Sequence, residues 1–96
     1  MVVPNPHLMA KPSDSLVASL CREMDQLRGR VAQVIADLGR CQEERLLQRL
    51  QRELQQLVLR RQELQACAKA LRCNGGLRDS LAVAFLDELT RRPLPC

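Results

Sequence analysis

Two apolar stripes with helical spacing dominate this chain, and a change of phase separates them. Each stripe advances by three or four residues at a time, as an amphipathic helix requires. The first stripe consists of Leu16, Leu20, Met24, Leu27, Val31, Val34, Leu38 and Cys41. The second consists of Leu46, Leu47, Leu50, Leu54, Leu57, Leu64, Ala68 and Leu71. On one unbroken helix, at about 100° per residue, the second stripe would be rotated by roughly 110° from the first.

Gly39 lies at this change of phase. A glycine just after the last periodic residue is typical of a helix C-cap, because glycine adopts the left-handed conformation without a Cβ clash. Glu43 and Glu44 would then stand in the first turn of a new helix, at the positive end of its dipole. Gly29, however, lies inside the first stripe without any change of phase. We therefore favour a turn at Gly39 and keep one long continuous helix as the alternative.

Composition and turn signals complete an all-α prediction. Phe85 is the single aromatic among 96 residues, so aliphatic side chains must form the core. Leu, Ala, Gln, Glu and Arg are abundant and favour helix over strand. The sequence CNGGL at 73–77 predicts a second turn. A row with four-residue spacing follows it, Leu77, Leu81, Phe85 and Leu89, and Val83 and Leu86 widen the same face.

The predicted fold is an antiparallel, coiled-coil-like helical hairpin with a short third helix. The helices are expected at about 14–38, 42–72 and 77–91, within a single domain of residues 13–92. Residues 1–12 contain three prolines and no periodic pattern, so we expect a flexible arm there. Residues 93–96 are expected to form a loose tail.

The sequence contains no pattern that points to catalysis, a cofactor or a metal site. His7 is the only histidine, and it has no identifiable partner for nucleophilic catalysis. The five cysteines lack the close pairing of structural zinc sites; they are Cys21, Cys41, Cys67, Cys73 and Cys96. No apolar run is long enough to span a membrane, and the first residues lack the apolar core of a signal peptide. We therefore expect reduced thiols and a cytoplasmic location.

The formal charge of +4 is concentrated in the second predicted helix. Four arginines, Arg45, Arg49, Arg52 and Arg60, fall along one side of it. They predict either a contact for an anion or nucleic acid, or an ordinary solvated flank. Stacking on single-stranded bases is disfavoured, because aromatic side chains are nearly absent.

The favoured function is a non-catalytic interaction or assembly subunit that acts through coiled-coil-type packing. Its partner would be a second copy, giving a homodimer or larger oligomer, or another helical protein. The expected interface residues are Leu27, Val31, Val34, Leu38, Leu50, Leu54, Leu57 and Leu64. Leu59, opposite this row, and Val58 beside it indicate a second contact surface. Arg61 interrupts the row and is expected to reach outward or to pair with an acid. A nucleic-acid-associated regulator that uses the arginine side is the alternative.

Overall fold

Three α-helices make up the structure, a computed structural model that describes residues 12–73 and 80–95. Helix α1 spans Pro12–Arg40, α2 spans Glu44–Cys73 and α3 spans Leu81–Arg91. The all-α class is confirmed, and the first two helices begin and end within two residues of the predicted positions. The arm at 1–11 and most of the CNGGL turn lie outside the described residues.

The chain turns between the two apolar stripes, at residues 41–43, so the single continuous helix is wrong. The two long helices then run antiparallel, as their ion pairs show. Glu23 of α1 pairs with Arg60 of α2, and Arg30 of α1 pairs with Glu53 of α2. The residue numbers in both pairs add up to 83, so the numbers rise along α1 in the direction in which they fall along α2.

Gly39 is not the left-handed cap that the sequence predicted. It lies inside α1, and neither it nor Gly29 has a positive φ. The helix continues for one more residue, and the backbone N–H of Cys41 donates to the Asp37 carbonyl at 2.9 Å. Helix α2 starts where the N–H of Leu47 donates to the Glu43 carbonyl, also at 2.9 Å. The turn is therefore formed without any left-handed residue among those the structure describes.

Helix α3 buries one part of the predicted face and exposes the other. Leu81 is 87% exposed and Phe85 is 52% exposed, so these two residues of the four-residue row lie at the surface. The buried side chains are Val83, Leu86, Asp87, Leu89 and Thr90. The helix also starts at Leu81 instead of residue 77, because Ser80 is its N-cap and accepts a hydrogen bond from the Val83 N–H at 3.3 Å.

The third helix covers only the half of the hairpin that lies away from the turn. Asp87 contacts Arg72 near the end of α2, whereas the Arg92 carbonyl contacts Arg61 in the middle of α2. At 1.5 Å per residue, α3 is about 16 Å long and α2 about 45 Å. The α2 segment 44–60 therefore has α1 as its only helical neighbour among the described elements.

The distribution of buried side chains follows from this incomplete cover. The core cluster lies in the three-helix half and consists of Val17, Leu20, Met24, Leu27, Val31, Leu64, Ala68, Val83, Leu86 and Leu89. Val17 takes the first core position on α1, and Leu16 is half exposed instead. Leu94 packs against the same cluster, so the prediction of a loose tail is wrong for that residue.

Candidate interaction surface

Five of the eight predicted interface residues belong to the interior of the chain. Leu27, Val31, Val34, Leu50 and Leu64 are buried between its own helices. Their surfaces are covered within one copy of the chain, where they form the seam between its own helices. A partner contact through them stays a prediction. The other three, Leu38, Leu54 and Leu57, are half-buried and reach the surface.

Two partly exposed ion pairs link α1 and α2 beside the apolar contact between them. The Arg60 guanidinium donates to both carboxylate oxygens of Glu23, at 2.6 and 2.9 Å. Arg30 engages both carboxylate oxygens of Glu53 in the same way. These hydrogen bonds hold the pKa of each carboxyl below its ordinary value.

Arg60 therefore differs from the other predicted anion-contact arginines. It bonds Glu23 and also Glu63, whereas Arg45, Arg49 and Arg52 form no ion pair with a residue that the structure describes. These three are exposed on the side of α2 that faces away from the core. The structure thus leaves three uncompensated cations where the sequence predicted four.

An apolar groove lies beside α2 where the third helix does not reach. Leu54, Gln55, Val58 and Leu59 line it, and its open volume is about 420 Å³. Leu59 is 58% exposed there. The two residues that the sequence singled out as a second contact surface, Val58 and Leu59, both lie in this groove. Leu54 joins them because α3 ends before it.

A second groove continues along α2 beside α3. It has a volume of about 340 Å³, and its lining residues are Gln62, Gln65, Ala66, Lys69, Asp87 and Arg91. Asp87 is nearly fully buried at its edge and forms ion pairs with Arg91 at 3.2 Å and with Arg72, whose guanidinium donates a hydrogen bond to it at 2.6 Å. This ion pair was missed in the sequence, although an acid inside the apolar row Val83, Leu86 and Leu89 was a signal for it.

Arg61 pairs with no acid among the described residues and extends to the C-terminal end of α3 instead. Its Nη2 donates to the Arg92 carbonyl at 3.3 Å, and Arg28 of α1 donates to the same oxygen at 3.2 Å. Its Nε is buried without a hydrogen-bond partner. Two arginines from different helices thus meet the C-terminal end of α3, where cations are favoured by the helix dipole.

The described thiols are free and show no arrangement of a metal site. Cys21 and Cys67 pack against the core cluster, Cys41 is half-buried and Cys73 is exposed. Burial raises the pKa of the Cys21 thiol. Within 12–73 and 80–95, no group of three or more His, Cys, Asp and Glu side chains could hold a metal ion. His7 and Cys96 lie outside these ranges.

Comparisons with known proteins found no match, so the candidate function rests on geometry and charge. No protein-family model, no curated protein and no solved structure matches this chain. In the described part of the chain, none of the helices is long and apolar enough to cross a membrane.

Proposed function

We propose that this chain is a non-catalytic helical interaction module that assembles with another helix through the free side of α2. The observation that supports this most strongly is the apolar groove of Leu54, Val58 and Leu59. It lies on the segment of α2 that has α1 as its only helical neighbour among the described elements, and apolar grooves of this kind bind the apolar face of a helix. Clustered apolar side chains at the surface are typical of interaction sites, whereas single exposed leucines are not.

Site-specific photo-crosslinking tests this proposal. A photoreactive residue at Leu59 should give a discrete protein adduct in cells that produce the full chain. The same residue at Arg49, about 80° around the axis of α2 from Leu59 at 100° per residue, should not. Adding Val58→Asp should abolish the Leu59 adduct, because a carboxylate would be desolvated in the contact. Equal labelling from both positions, or an adduct that survives Val58→Asp, would contradict a role for the groove.

The three unpaired arginines support a second candidate function, binding to a nucleic-acid backbone. Arg45, Arg49 and Arg52 recur at intervals of four and three residues, so they form a row about 10 Å long at 1.5 Å per residue. If each contacts one phosphate of duplex DNA, the logarithm of the binding constant should fall with the logarithm of salt concentration at a slope of about −2.7. Arg49→Gln should reduce that slope by about 0.9. A slope near zero, or one unchanged by Arg49→Gln, would exclude this candidate.

A further inference from the structure

A polar stripe follows the free side of α2 with the spacing of a coiled-coil seam. Its intervals alternate strictly between four and three residues. Its members are Glu44, Gln48, Gln51, Gln55, Val58, Gln62, Gln65 and Lys69. The stripe extends along most of the length of α2, and all eight of its side chains are exposed or half-buried. Both grooves beside α2 are lined by members of this stripe.

The stripe matches itself when it is read in the opposite direction. Glu44 corresponds to Lys69, Gln48 to Gln65, Gln51 to Gln62, and Gln55 to Val58, and the residue numbers in each pair add up to 113. Two α2 helices that cross a two-fold axis between residues 56 and 57 would place these pairs opposite each other. Such a contact is isologous, so each pair occurs twice.

Charge complementarity fixes the direction of this contact. Neither Glu44 nor Lys69 forms an ion pair with a residue that the structure describes. An antiparallel arrangement brings each Glu44 to a Lys69 of the other copy, and Arg91 in the same groove adds a second cation. A parallel arrangement would place Glu44 against Glu44 and Lys69 against Lys69, which repel. The charges therefore favour the antiparallel form.

The two-fold axis also pairs polar side chains within the stripe. Gln48 lies opposite Gln65 and Gln51 opposite Gln62, so each of these amides offers a donor and an acceptor to the amide opposite. Val58 lies opposite Gln55 next to the axis, in the apolar groove of each copy. The surface is thus self-complementary in charge and hydrogen bonding.

We propose that the occupant of the α2 surface is a second copy of this chain, packed antiparallel through α2 with Glu44–Lys69 pairs at both ends. The proposal rests on the proposed function and adds the identity and direction of the partner helix. Its failure can be separated from that of the proposed function, because a Leu59 adduct with another protein would support an interaction module whose partner is not itself.

A charge-swap experiment on the full chain tests the pairing. Sedimentation equilibrium of the reduced protein should give a dimer at micromolar concentration. Glu44→Lys and Lys69→Glu should each raise the dimer dissociation constant about tenfold, since each creates two like-charge pairs per dimer. The double variant should restore it to within about threefold. Arg49→Glu, a charge reversal on the opposite side of α2, is the matched control and should change it little.

Distances between spin labels test the direction independently. Labels attached to a non-natural residue at position 45 or 49 leave the cysteines and the stripe intact. In the antiparallel dimer, labels at 45 lie about 35 Å apart along the helix axis and labels at 49 about 23 Å, at 1.5 Å per residue. A parallel dimer would give equal distances at both positions. A monomer at high concentration, equal distances, or single variants without effect would overturn the proposal.

Discussion

At the scale of single residues, Gly39 lies near a turn that the sequence predicted correctly, but it is not the helix C-cap that the sequence predicted. The phase change between the stripes predicted a break near Gly39, and the chain does turn two residues later. The left-handed cap was wrong because a helical glycine costs only about 1 kcal/mol. That cost is small enough for neighbouring hydrogen bonds to decide where the helix ends. Here Asp37, which accepts from Gln33 and Arg40 side chains, holds the last turn of α1 together.

Replacing this glycine with alanine should stabilise the protein. A Cβ built at Gly39 meets nothing within 4 Å, and the backbone is helical. Gly39→Ala should therefore raise the free energy of unfolding by about 0.5–1 kcal/mol, measured by urea denaturation. Gly29→Ala, equally unobstructed but in the middle of α1, is the matched comparison and should gain at least as much. A loss of stability at Gly39 alone would show that its backbone is left-handed in solution.

At the scale of helices, the core face of α3 was predicted too broadly. The four-residue row, widened by Val83 and Leu86, suggested a core face that includes Phe85. The helix buries Val83, Leu86 and Leu89 but exposes Leu81 and Phe85. Spacing alone could not show which part would be buried, because the whole face is apolar and the helix is only three turns long. The choice depends on Asp87, whose partner Arg72 lies on another helix.

The Asp87–Arg72 ion pair should therefore hold α3 in place. Asp87→Asn removes the charge that accepts the hydrogen bond from Arg72 and pairs with Arg91. It should lower the free energy of unfolding by about 1–3 kcal/mol. Hydrogen exchange should show the largest loss of protection in α3 and in the part of α2 beside it. Glu88→Gln, which breaks an exposed pair with Arg92 in the same helix, is the control and should change little. Equal effects of the two variants would contradict an anchoring role for Asp87.

The two ion pairs between α1 and α2 give the hairpin a pH dependence of known sign. The folded-state pKa of Glu23 and of Glu53 lies below its ordinary value of 4.5. Stabilisation by these groups is thus present above about pH 4.5 and lost as pH falls through the folded-state values. The thermal midpoint should drop on acidification in this range, and less steeply in Glu23→Gln. Glu43→Gln, at the turn, is the control. An acid profile unchanged by Glu23→Gln would show that the pair with Arg60 does not persist in solution.

At the scale of the whole molecule, the proposed interaction surface is the side of α2 that α3 leaves uncovered. The sequence correctly indicated Val58 and Leu59 as surface residues, because they fall off the main apolar row. It could not show that Leu54 joins them, since that follows from the length and position of α3. The spacing of the polar stripe could be seen in the sequence, but polar residues at regular intervals also occur on solvated helix faces. The structure adds that none of the described helices covers this side of α2 between residues 44 and 60.

The uneven cover also predicts a gradient of stability along the hairpin. Amides at 49–54 and at 63–68 lie equally far from the two ends of α2, so fraying affects them alike. Among the described helices, the first group has only α1 beside it, whereas Leu64 and Ala68 of the second belong to the three-helix core cluster. In dilute protein, native-state hydrogen exchange should therefore give a lower opening free energy for 49–54 than for 63–68. Asp87→Asn should reduce this difference, because it releases the helix that protects the second group. Equal protection of the two groups in the unmodified chain would show that α3 is not what stabilises the half away from the turn.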